Sequence, residues 1–163
     1  MLSESCLAFL DLWWEKQIQG RIYIKMYNDS PRAQQFFFMC TGEKGPSYKG
    51  TRFSASHVGE PGEVIFGGTY SFNNKITGTS ILPLMTDDDL GTRLCTSGLV
   101  WVLPITSPSY GTIFCVTLRS MPGKLFNGVM GEVVSGLAIL RAAVLHRPIE
   151  DITVKDCGII FTG

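Results

Sequence analysis

Cys40-Thr41-Gly42-Glu43-Lys44-Gly45-Pro46-Ser47-Tyr48-Lys49-Gly50-Thr51-Arg52-Phe53 is the stretch on which the reading of this chain turns. Its spaced glycines and lysines suggest a phosphate loop, but the lysine that should follow the second glycine is missing. The segment also follows a predicted helix instead of joining strand to helix, so nucleotide binding is set aside. Upstream, Asn28-Asp29-Ser30-Pro31 offers capping side chains and a proline suited to a first helical position. Arg32 to Met39 then runs without a breaker until Gly42, which predicts one helix. Downstream, from Thr41 to about Leu90, Gly, Ser, Thr, Pro and Asn dominate, leaving only brief strands such as Glu63-Val64-Ile65-Phe66. Loops of that length usually shape a binding surface.

Further out, Leu7 to Trp14 and Gly20 to Tyr27 read as paired strands, and Leu99-Val100-Trp101-Val102-Leu103 and Thr112 to Thr117 as strands of a central sheet. Leu137 to Leu145 forms a second helical stretch ending before Pro148, and Ile152 to Gly158 a last strand. One domain of 163 residues is expected, with 45% hydrophobic content to fill a core without disulfides. Eighteen glycines, 11% aromatics and only 17% charged residues favour strands and tight turns over a helical bundle. Fourteen basic residues balance fourteen acidic ones, so no net field draws the chain to nucleic acid or an anionic membrane. No apolar run reaches the roughly 18 residues of a membrane helix, and the opening Met1-Leu2-Ser3-Glu4-Ser5-Cys6 has no signal-peptide character. Five widely spaced cysteines without a C-x-x-C pair fit buried thiols in a reducing compartment, which places the chain inside the cell, in cytoplasm or nucleus.

Candidate chemistry is sparse. Asp87-Asp88-Asp89 are neighbours that face different directions, which suits a solvated loop better than a metal site. His57 and His146 are the only histidines, and neither has a local catalytic companion. No Gly-x-Ser-x-Gly elbow is present, which argues against hydrolase chemistry. Phe36-Phe37-Phe38 cannot all face one core from a single helical turn. Trp13 and Trp14, adjacent on a strand, point to opposite faces, so one of them is a candidate partner contact.

The opening stretch, with Cys-Thr-Gly-Glu-Lys-Gly followed by Tyr48-Lys49-Gly50 and Phe53, is similar to the corresponding run of cyclophilins. Phe9-Leu10-Asp11-Leu12, Gly20-Arg21-Ile22, Gly67-Gly68, Gly123-Lys124 and Val154-Lys155-Asp156-Cys157-Gly158 fall in the order that family would require, across about residues 8 to 160. The resemblance implies a mainly β fold, a closed eight-stranded antiparallel barrel capped by two helices. Cyclophilins are peptidyl-prolyl isomerases that lower an amide rotation barrier of about 20 kcal/mol with a cationic arginine beside the prolyl bond, in an apolar pocket.

Measured against the family pattern, the isomerase residues are gone. Ser54 and Ala55 follow Phe53 where the family has histidine and arginine, and Phe66 replaces the glutamine before the glycine pair. Ile113-Phe114-Cys115 stands for Gln-Phe-Phe, Arg119-Ser120-Met121-Pro122 occupies the usual tryptophan and leucine, Leu125 replaces a histidine, and Val102-Leu103-Pro104-Ile105 replaces Ser-Met-Ala-Asn. The resemblance therefore implies a catalytically inactive cyclophilin-like domain, an interaction or scaffolding module excised from a longer multidomain protein, with no cofactor and no affinity for cyclosporin. Its degenerate groove is expected at Ser54, Ala55, Phe66, Ile113, Cys115 and Leu125, and its partner is a protein or peptide. The competing reading is a weak prolyl isomerase or proline-peptide chaperone in which Arg52, or less readily Arg119, supplies the missing charge.

Overall fold

The computed structural model describes residues 6–27, 29–83, 90–103 and 111–161. β1 (Cys6–Trp14) and β2 (Gln17–Met26) form the expected hairpin, joined at Glu15 and Lys16, both at positive φ (52° and 63°). That turn matches the twist of the strands it joins. Ala8, Leu10, Leu12 and Trp14 alternate into the core. The extra residues at the two register shifts fall on the partner strands, so the inward set of β1 is preserved.

Helix α1 (Pro31–Thr41) begins and ends where its local chemistry dictates. The Ser30 hydroxyl accepts a hydrogen bond from the Ala33 amide, Pro31 occupies the first turn, and Gly42 closes the helix at φ 74° while donating to the Phe38 carbonyl. Phe36 and Phe37 enter the core, whereas Phe38 lies half-buried beneath the Lys44 ammonium, 5.0 Å from its ring centroid. The phenylalanine triplet thus divides as its helical spacing requires. Tyr48, fully enclosed, stacks with Phe36 and Phe114 at 5.3 and 5.1 Å and donates to the Thr112 carbonyl, giving the Tyr-Lys-Gly motif a structural task. Buried Gln35 donates to the Gly111 carbonyl and accepts from the Ile81 and Leu82 amides, which ties the long loop region to α1.

The remaining strands are β3 (Ser54–Ser56), β4 (Val64–Gly67), β5 (Tyr70–Phe72), β6 (Lys75–Thr77), β7 (Gly91–Leu94), β8 (Leu99–Trp101), β9 (Phe114–Thr117), β10 (Leu125–Ser135) and β11 (Thr153–Phe161). Nine of the eleven strands form one antiparallel sheet in the order β11-β1-β2-β10-β8-β9-β4-β3, with β7 on β10, while β5 and β6 form a separate ribbon. The sheet does not close as a continuous ladder. Its two ends, β3 and β11, approach through one isolated bridge between Arg52 and Thr153, flanked by Gly50 N–H to Val154 O (2.7 Å) and Val154 N–H to Thr51 O (3.0 Å). Helix α2 (Leu137–Ala143) leans on β2. Among the described residues no helix is long and apolar enough to cross a membrane.

Candidate functional site

Strand registers place the side chains of β3, β4, β9 and β8 in rows across the sheet. Ser54 pairs with Phe66, Phe66 with Cys115, and Cys115 with Trp101, giving one row on the outer face. The next row, Ala55, Ile65, Val116 and Val100, points the other way into the core. Along the outer row Phe66 and Trp101, both half-buried, stand on either side of Cys115, on strands two spacings or about 10 Å apart.

These rings are the walls of a groove of about 410 Å³ whose floor is Cys115 and Val64. Met121 and Phe126 close it from the neighbouring segments. Trp101 is held firmly: its indole N–H donates to the Thr117 hydroxyl at 3.0 Å and its ring meets Phe126 at 4.8 Å. Beyond that stacked pair lies an adjoining cleft of about 490 Å³, lined by Leu90, Val102 and Leu125 and sharing Trp101 and Phe126 as its wall.

The electrostatics of the groove are weak. Its only basic side chains among the described residues are Lys124 and His57, the latter 3.8 Å from Glu60. All seven arginines of the chain are described, and none lines the groove. Arg52 reaches away to the Glu150 carbonyl at 2.9 Å, and Arg119 pairs with Glu63 at 3.5 Å in a different cavity. Arg32 is held in the core, 2% exposed, donating to the Leu103 carbonyl at 3.4 Å. Burial pushes the Cys115 thiol up to about 12 despite the opposing pull of Arg32, so it is not a nucleophile at neutral pH.

The groove gathers Phe66 and Cys115 from the residues expected at it. Ser54 shares their row but stops outside the cavity, and Ala55 packs against the core because it belongs to the opposite face of β3. Ile113 is half-buried just ahead of β9 and also lies outside the cavity. Leu125, 58% exposed, belongs to the adjoining cleft. Trp14 points into the core near the His146 ring, and Trp13 is half-buried under the Lys155 ammonium, 4.5 Å from its ring centroid; neither tryptophan lines the groove.

Trp101, Phe126 and Lys124 went unread as groove residues. The apolar run around Trp101 shows no alternation that would separate inner from outer faces, although the register makes the distinction plain. Asp87, Asp88, Asp89, Pro104 and Ile105 lie outside the described residues. All five cysteines are unpaired, four of them buried, and among the described residues no group of His, Cys, Asp or Glu is arranged to hold a metal ion. No protein-family model matches the chain.

Proposed function

We propose that this chain is a cyclophilin-like domain without isomerase activity that uses the Phe66–Trp101 groove to hold an apolar segment of a protein partner. The observation that carries the proposal is the outer row itself. Two half-exposed aromatic rings flank an apolar floor, and among the described residues Lys124 is the only lysine or arginine at the cavity. Such a slot gains affinity by covering an apolar side chain, not by polarising an amide. A twisted prolyl amide needs a preorganised donor at its nitrogen or carbonyl, and the guanidiniums of Arg52 and Arg119 both lie outside the groove. The seam between Arg52 and Thr153 supports reading the sheet as a barrel whose ends meet there. The same absence of a guanidinium from the groove supports the expectation that cyclosporin does not bind.

The test is a prolyl-isomerisation assay on the purified chain with a proline-containing tetrapeptide, run beside a titration with an apolar peptide followed by tryptophan fluorescence, to which Trp101 contributes beside Trp13 and Trp14. The rate should equal the spontaneous one. The peptide should quench or shift the emission, and Phe66→Ala should weaken that binding by roughly ten-fold, as expected for a buried aromatic anchor. Turnover above the spontaneous rate sinks the proposal.

A further inference from the structure

On the far side of the loop leading into β4, a second cavity of about 400 Å³ shares no lining residue with the groove. Its deepest polar group is the Glu63 carboxylate, 2% exposed, whose Oε2 accepts from the Gly59 amide at 2.6 Å. Arg119 approaches the other oxygen through Nε at 3.5 Å, with its side chain 55% exposed. From α2, Arg141 enters the same space and spends one Nη2 donor on the Leu118 carbonyl at 3.2 Å. Leu118 and Val144 form a buried aliphatic floor, and Leu145 stands at the rim, 73% exposed.

Two arginines therefore share this cavity with one carboxylate, and most of their N–H donors have no partner among the described residues. The loop does not need this surplus, because backbone bonds from Gly62 to the Arg119 carbonyl and from Leu118 to the Glu63 carbonyl already pin it. We propose that this cleft is a docking site for an acidic peptide segment, with the peptide carboxylate bridging Arg119 and Arg141 and an adjacent aliphatic side chain covering the exposed Leu145 at the rim. The excess of one positive charge matches one carboxylate better than a doubly charged phosphate. An aliphatic floor without an aromatic ring offers a nucleic-acid base nothing to stack on. This site goes beyond the groove reading and stands or falls apart from it.

The probe is a terminally blocked Leu-Glu dipeptide titrated into the isotope-labelled full chain, followed by amide chemical shifts. Shifts should concentrate at Ser97, Arg119, Arg141 and Leu145 and leave Phe66 and Trp101 unmoved. Arg141→Gln, which keeps the Glu63–Arg119 pair, should weaken binding about ten-fold, the loss of one charge-assisted contact. A blocked Leu-Gln dipeptide should bind correspondingly more weakly. Equal binding of Leu-Gln, unchanged binding in Arg141→Gln, or absence of shifts at Arg119 and Arg141 each overturns the proposal. So does an oligothymidylate that displaces the dipeptide from the same residues. Because the isomerase assay and the Phe66→Ala titration report on other residues, failure here is distinguishable from failure of the groove reading.

Discussion

Cys115, 3% exposed between two aromatic walls, ionises at about 12 in the folded chain, against 9.0 for an ordinary thiol, because burial penalises the thiolate. Above pH 9 the unfolded chain sheds a proton that the folded chain keeps. The contribution of this thiol to stability is therefore whole below pH 9 and is lost as pH rises towards 12. One such group imposes a slope of about 1.4 kcal/mol per pH unit. Cys40 and Tyr48, also fully enclosed and raised by burial, steepen the same decline. Urea midpoints followed through that alkaline window should fall less steeply for Cys115→Ala than for the parent chain. Parallel slopes would mean that the thiol ionises as freely folded as unfolded.

At the scale of elements, the two helices differ in how their ends are made. Ser30→Ala removes one side-chain cap from α1 and should cost about 1 kcal/mol. Gly136→Ala, at the start of α2, should cost distinctly more. Gly136 has φ 95°, and an added Cβ would come within 2.7 Å of the Arg21 carbonyl oxygen, with no flexible side chain to yield. Denaturation midpoints of the two variants should fall in that order, and the reverse order would contradict the packing of α2 on β2. Helix α1 was legible in the chain because Ser30, Pro31 and Gly42 are local signals. Strand β10 was not, because Gly128 and Gly131 break its pattern. In the fold they answer close approaches: Gly128 has φ 73° beside the Val102 carbonyl, and Gly131 meets the Lys25 carbonyl so tightly that a side chain would not fit. Two of the three register shifts of β10 fall beside these glycines, and the third lies between Val133 and Ser135. The groove was legible in part for a related reason. Phe66 and Cys115 sit in short strands, but the face each presents depends on pairing that no single strand records.

For the molecule as a whole, the two ends of the strand order meet at the seam between β3 and β11. The amides of Gly50 and Val154 donate across it. If the sheet behaves as a barrel, these two should exchange with solvent as slowly as amides of the β1–β2 ladder, because opening them would require global unfolding. Exchange at the rate of a frayed edge would instead leave β3 and β11 as independent margins, and hydrogen exchange read residue by residue separates the outcomes. Local reading could find both helices and several strands, but not this closure, which joins residues about one hundred positions apart through a single pair of backbone bonds.

The outer row Ser54, Phe66, Cys115 and Trp101 and the inner row Ala55, Ile65, Val116 and Val100 are alternate positions of the same four strands. The proposed contact surface and the core wall are thereby written on opposite sides of one layer a single residue thick. Phe66 and Trp101 can therefore be substituted on the exterior, where the proposed partner contact would lie, while the hydrophobic wall behind them stays intact.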